Sequence, residues 1–234
     1  MQQLEELERL LSESGATFTG YSDVTGKTNC FNNLHYAITI GVRLSDAIID
    51  EISDKPTFTY FHHYRTVNAL LDQIALKGTL FIQDHGFNAA AVPASQTVND
   101  TGMPYSAIFP HKTAAVLAGL GSIGKNGLFI HKTYGPRVRL ATILTDMPVT
   151  AEKPSSSSMT GADKTVSPCT GCNLCVEACP AMALTGRQWH EGIARDEIVD
   201  ARACSDYMNA KFKHIGRGSV CGICIRVCPV RCRK

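Results

Sequence analysis

Apolar residues recur along this chain with two spacings, every three to four positions and every second position, and the switches fall at glycines and prolines. Leu4, Leu7, Leu10 and Leu11 form one stripe at helical spacing, which ends near Gly15. LHYAITIGVRL (34–44) reads as a buried strand, and SDAIIDEI (45–52) as a helix opened by a Ser cap. Pro56 then breaks the chain. TYFHHYRTVNALLDQIALKGTLFIQDHGF (59–87) is mainly helical, with a stop at Gly86. AAAVPAS (89–95) predicts a strand, 96–109 a loop, and HKTAAVLAGLG (111–121) a short helix running into glycines. GLFIHKTYGPRVRLATILTDM (127–147) predicts a hairpin, two β-rich runs on either side of Tyr134-Gly135-Pro136.

Beyond 150 the periodicity stops. Residues 150–167, including PSSSSMTGADK, are polar and Ser-rich, which sets a linker at 151–165 between a domain at 1–150 and a second at 166–234. A chain of 234 residues suffices for one large domain with a small one appended. With 44% hydrophobic and 19% charged residues it has the composition of a soluble globular protein. The net charge of +2 lacks the clear basic excess of a nucleic-acid binder. No apolar run reaches the length of a membrane span. MQQLEELERLLSESG reads as an acidic amphipathic helix and not as a signal peptide, because it has no basic start and no apolar run. A cytoplasmic protein without membrane contact is the expectation.

The cysteines change this picture most. There are ten, and nine follow residue 168. Secreted disulfide scaffolds spread cysteines through a short chain, whereas a cysteine-poor domain followed by a dense tail points to metal in a reducing compartment. Cys169-x2-Cys172-x2-Cys175-x3-Cys179-Pro180 has the bacterial ferredoxin spacing, in which three cysteines hold one [4Fe–4S] cubane and the fourth reaches across to another. Short spacers let successive thiolates curl round a cluster corner, and the proline turns the chain away. A second run, Cys221-x2-Cys224-x3-Cys228-Pro229, is one cysteine short, and Cys204 upstream is the natural substitute, with Cys232 the rival. The cross-over rule assigns Cys169, Cys172, Cys175 and Cys228 to one cluster, and Cys179, Cys204, Cys221 and Cys224 to the other. Structural zinc also uses C-x2-C knuckles, but four ligands per zinc give no reason for two runs that both end in Cys-Pro. Cys30 stands alone and reads as a small core residue.

AGLGSIGKNG (118–127) contains Gly119-x-Gly121-x-x-Gly124, the dinucleotide fingerprint, and Gly119-x4-Gly124-Lys125, which is close to a P-loop. The fingerprint needs a strand before it and a helix after it, and here a helix precedes and a strand follows. A P-loop needs Ser or Thr after its lysine, and this chain has Asn126. A tight turn packed against a sheet, or close approach of a flat cofactor to the backbone, each accounts for the glycines.

PHKTAAVLAGLGSIGKNGLFI (110–130), RLATILTDMP (139–148) and the two cysteine runs together resemble the epoxyqueuosine reductases and their shorter relatives, which are related to the reductive dehalogenases. Cys204-Ser-Asp-Tyr207 is similar to that family's C-x-x-Y context for its isolated ligand. The resemblance covers about half the chain. It implies an α+β protein: a nitroreductase-like, corrinoid-binding α/β sandwich followed by a ferredoxin-like double [4Fe–4S] domain. It also implies cobalamin as a cofactor, electrons passing from the clusters through the corrinoid, and reduction of an epoxide on a modified tRNA base. On this resemblance His63, His111, Lys112, Gly119, Gly121, Gly124 and Lys125 are candidate cobalamin contacts. The family's proton donor is an aspartate upstream of AGLG, and counting back without gaps puts Tyr105 of YSAIFPHK there. In the related dehalogenases a tyrosine serves as the acid. That departure, and the absence after Cys228 of the helical-repeat extension of some tRNA-acting members, point away from tRNA and towards a small electrophilic substrate. The expected electron donor is a reduced ferredoxin or flavodoxin. An electron-transfer or corrinoid-activating module without a substrate of its own, and a flavin-dependent reductase on the same scaffold, are the alternatives.

Overall fold

The structure is a computed structural model that describes residues 2–27, 31, 33–96, 98, 105–149, 167–218 and 220–230. The serine-rich linker, Cys30 and Cys232 lie outside the described residues. Two compact units emerge. Unit 1 comprises Met1–Arg43, Val67–Leu120 and Arg139–Ala162, and unit 2 comprises Leu44–Thr66, Gly121–Val138 and Asp163–Lys234. Division by sequence order at 150 does not anticipate this grouping, in which 44–66 and 121–138 fold with the cysteine-bearing tail. The contacts that join those segments are non-local and leave no local mark in the sequence.

Unit 1 is built on a four-stranded sheet of order β1-β2-β6-β3, with β1 Phe18–Asp23, β2 Tyr36–Arg43, β3 Ala89–Val92 and β6 Val138–Thr145. β1 and β2 are antiparallel with Phe18 opposite Gly41, and β3 and β6 are antiparallel with Ala89 opposite Thr145. β2 and β6 are buried almost without interruption, as β-branched runs covered on both faces should be. The leucine stripe forms α1 (Gln2–Glu13), with Leu7 and Leu11 fully buried. The long helical run forms α3 (Phe58–Asp84) and stops where expected, at Gly86 with φ +86°. A Cβ on Gly78 would stand 2.6 Å from Ile143 Cδ1 and 3.0 Å from Leu11 Cδ2, so glycine there lets α3 pack closely. The fourth helix, α4 (His111–Leu117), also ends on a glycine, Gly119 at φ +70°. Val24, Leu34, Ala37, Val92, Phe109, Ala114 and Leu144 close a core beside the sheet.

Unit 2 contains α2 (Asp46–Asp50), the two-stranded sheet of β4 (Gly121–Ile123) and β5 (Phe129–His131), and the cysteine tail. The tail carries α5 (Leu174–Glu177), a 3-10 turn at Arg195–Glu197, α6 (Ala201–Gly216) and α7 (Ile223–Arg226). The hairpin expected over 127–147 does not form. β5 pairs with β4, Gly121 opposite His131, while β6 lies in the other sheet. The turn is made at Asn126-Gly127, with Gly127 at φ +68° and Asn126 Oδ1 accepting from Leu128 N at 3.1 Å. Asn-Gly is a strong short-range turn signal, and here it outranks Gly-Pro. Arg137, 1% exposed, fixes α2 through Asp46 at 2.8 Å and Asp50 at 2.7 Å. Burial of its guanidinium is offset by these two carboxylates, which together hold the pKa above the ordinary arginine value. Among the described residues no helix is long and apolar enough to cross a membrane.

Candidate metal centre

The two Cys-Pro runs of unit 2 fold alike. In each, a four-residue helix carries the middle cysteine, Cys175 in α5 and Cys224 in α7. The next cysteine follows on a turn, with Cys179 N donating to Val176 O at 3.3 Å and Cys228 N to Ile225 O at 3.4 Å. At the start of the first run, Cys172 N donates to Cys169 O at 3.1 Å and brings those two thiols to one side. The degenerate twofold repeat of the sequence is thus a repeat of local structure.

The structure brings the cysteines together in two groups. Cys169, Cys172, Cys175 and Cys228 line one cavity, whose wall also includes Asn126, Ile130 and Pro229. Cys204 rides the first turn of α6, which Asp200 caps by accepting from Ala203 N at 2.9 Å. Cys179 and Cys221 lie near it, and Cys224 lies near all three. Cys224 is also close to Cys175, so the two groups adjoin.

Electrostatics sharpen this picture. Burial, then the neighbouring thiols Cys221 and Cys179, push the Cys204 thiol up to about 11. Burial, then Cys169, Cys175 and Cys172, push Cys228 up to about 11. Cys175, Cys221 and Cys224 are raised as well, with burial the largest cause for each. The raised thiols, Cys175 and Cys228 in the first group and Cys204, Cys221 and Cys224 in the second, resist ionisation unless a cation shares their site, so this donor set fits an iron–sulfur cluster. None of the eight is in a disulfide.

The turn between β4 and β5 is fastened to both runs. Lys125 is buried, and its Nζ donates to Cys172 O at 3.0 Å and to Asn173 Oδ1 at 2.8 Å. Asn126 Nδ2 donates to Cys224 O at 3.5 Å. Sequence reasoning set Lys125 among the corrin contacts and passed over Asn126. The Asn-Gly pair that makes the turn was the available signal.

The other candidates divide. His111 in unit 1 has both ring nitrogens engaged, Nδ1 accepting from the Thr142 hydroxyl at 2.8 Å and Nε2 donating to Pro93 O at 2.9 Å. Burial pushes it down to about 4, so it stays neutral and ties α4 to β6. His63 accepts from Ser45 N at 3.1 Å through Nε2 and is lowered by burial. A Cβ on Gly121 would collide with the carbonyl of Ile130, and one on Gly124 would stand 2.9 Å from Asn126 Oδ1. These two glycines therefore answer to the β4–β5 ladder and its turn and are not open backbone for a corrin. Gly119 is exposed with open space above its Cα, and Lys112 is half-buried. Tyr105 is 38% exposed and has φ +64°, a backbone conformation that a bulky side chain rarely adopts.

Comparison with known proteins agrees with this geometry. Residues 168–231 match the 4Fe-4S double cluster binding domain family. A tetrachloroethene reductive dehalogenase of Desulfitobacterium hafniense is 29% identical over 168 residues, 67% of this chain and 26% of that protein. An epoxyqueuosine reductase of Cyclobacterium marinum is 30% identical over 125 residues, 49% of this chain and 34% of that protein. A solved reductive dehalogenase, described as acting in B12-dependent dehalogenation, superposes with a TM-score of 0.71 at 20% identity, covering 96% of this chain and 31% of the other. The chain is thus similar to both the reductive dehalogenases and the epoxyqueuosine reductases, and its tail matches a double [4Fe–4S] cluster domain. It spans about a quarter to a third of the length of these curated relatives.

Proposed function

We propose that this chain works as an iron–sulfur oxidoreductase that takes single electrons into its cysteine tail and passes them to a small electrophilic substrate with the help of cobalamin. The observation that carries the reading is the gathering of eight cysteines into two adjoining groups of four. Cys169, Cys172, Cys175 and Cys228 would hold one cluster, and Cys179, Cys204, Cys221 and Cys224 the other. Cys175 is buried and the other seven are partly buried, and the proximity of Cys175 to Cys224 gives a short step between the sites. A reduced ferredoxin or flavodoxin is the donor class that matches one-electron entry at low potential. Thiolate ligands persist in a reducing compartment, which favours a cytoplasmic setting.

The cobalamin part rests on relatives of both families and on a fold shared with a B12-dependent dehalogenase. Cobalamin, when bound, supplies a cobalt centre able to deliver electrons to an electrophilic carbon. Of the seven positions expected to contact it, Gly119, exposed with open space above its Cα, suits a corrin, whereas His63, His111, Gly121, Gly124 and Lys125 are engaged within the protein. On this reading unit 1 is the nitroreductase-like sandwich of the resemblance. Tyr105 is the proton donor, and its strained backbone is of the kind that persists where function requires it. An epoxyqueuosine reductase has been solved with a tRNA stem loop. For this chain the tyrosine in place of an aspartate favours a small molecule, since a phenol is a much weaker acid and suits a more basic intermediate.

Anaerobic titration with several cobalamin forms, followed by visible spectra, tests the cofactor. A saturating spectral change at unchanged iron content is expected, and no change with any form would remove cobalamin from the reading. Tyr105→Phe should bind cobalamin as the wild type does and lower turnover of a haloarene or epoxide substrate by about 100-fold, the lower end for a general acid. Full turnover of that variant would return Tyr105 to a packing role.

A further inference from the structure

Lys125 sits where a lysine is costly. It is 7% exposed, and its ammonium donates only to two neutral oxygens, Cys172 O and Asn173 Oδ1. Among the described residues no carboxylate is paired with it. Hydrogen bonds satisfy its protons but leave its charge unopposed, and a buried unopposed charge is strongly unfavourable. The loop that it grips carries three of the four thiols of the first cavity, and Asn126, the next residue, lines that cavity. A cubane with four thiolates is a net anion and becomes more negative on reduction. The opposing charge that Lys125 lacks within the protein is therefore the one the first site would bring.

The second site differs. Its upstream ligand, Cys204, follows the α6 cap Asp200 by one helical turn, and the Asp200 carboxylate acts on the Cys204 thiol with the opposite sign of charge. A cation beside one group and an anion beside the other make the two sites unequal, although their loops are alike.

We infer that Lys125 is the counter-ion of the cluster held by Cys169, Cys172, Cys175 and Cys228, and that it makes this cluster the higher-potential one of the pair. The inference rests on the two-cluster reading above and deepens it. The step concerned is a one-electron transfer: a low-potential carrier is oxidised by one electron, the cluster is reduced by one, and no bond forms or breaks. Because only charge changes, a fixed neighbouring cation acts directly on the equilibrium, and net charge and hydrogen bonding around the sulfurs are known levers on cluster potential. Lys125 is thus a positioning and tuning residue that directs where the electron rests. It is not a ligand.

The test is a redox titration of the iron-loaded protein followed by electron paramagnetic resonance, with iron counted in each sample. Lys125→Met should retain both clusters and shift one potential downward by a factor of ten or more in the reduction equilibrium, about 59 mV for one electron. The other potential should stay put, and Lys125→Arg should stay close to the wild type. Asn173→Asp keeps the lysine and neutralises it in place, so it should lower the same potential even if Lys125→Met does not assemble. Unmoved potentials in assembled Lys125→Met or Asn173→Asp protein would overturn the inference, as would an equal fall in Lys125→Arg. Wild-type protein that holds no iron would instead defeat the two-cluster reading itself.

Discussion

Protein carrying Cys204→Ser is expected to hold about half the iron of the wild type, about four atoms against about eight, when both are purified anaerobically with iron supplied. Cys204 is half-buried on the first turn of α6, next to Cys179 and Cys221. A serine hydroxyl there is a far poorer ligand for iron than a thiolate, and the second group has no fifth cysteine among the described residues. The first group takes none of its members from α6, so its spectrum should survive. Iron analysis together with electron paramagnetic resonance of the reduced protein reads both effects. Unchanged iron would transfer the ligand role to Cys232, and stoichiometric zinc without iron in the wild type would end the cluster assignment altogether.

The cysteine spacing made the metal centre legible because covalent reach fixes it. Two or three residues between thiols permit one kind of loop, and the structure shows that loop twice. Periodicity likewise located β2, α2, α3, β3 and α4, since each is long enough or apolar enough for one face to dominate. Elements whose signals are weak or divided went unread. β1 is FTGYSD, with glycine and two small polar residues diluting its pattern, and it becomes a strand by pairing with β2. The sixteen residues of α6 carry Cys204, which drew attention to ligation and away from the Asp200 cap.

The glycine-rich segment was the hardest to read. Its glycines admit several structures, and choosing among them needs partners 40 to 100 residues away, such as Cys172 for Lys125 and Cys224 for Asn126. The same holds for His111, a polar residue at a helix start by sequence and a partly buried strut between Thr142 and Pro93 by structure. Local patterning reports which residues want burial. It does not report which buried polar groups have found each other.

Removing the iron should loosen residues 168–230 while leaving the four-stranded sheet of unit 1 intact. The helices at the centre of the tail, α5 and α7, have four residues each, far below the ~12–15 that an isolated helix needs for marginal stability. Several apolar side chains there face water, Leu174 at 48% exposure and Met182 at 89%, so hydrophobic burial alone holds the loops weakly. Metal–thiolate bonds must then supply much of the folding free energy, as they do in other small metal domains. The sheet of unit 1 is different, with Ile38, Ile40 and Ile143 fully buried and no ligand needed to keep them so. Protons compete with iron for the thiols. Cys204 and Cys228, pushed up to about 11, are protonated at neutral pH once the metal leaves, so release becomes easier as pH falls. Chelation at mildly acidic pH, followed by hydrogen exchange, should raise exchange in peptides covering 168–186 and 220–230 by about 100-fold, or ~2.8 kcal/mol of local opening free energy. Peptides covering Tyr36–Arg43 and Val138–Thr145 should keep their protection. Equal loss of protection in both sets would mean that the clusters support the whole chain, and no change in either would mean that the tail folds without them.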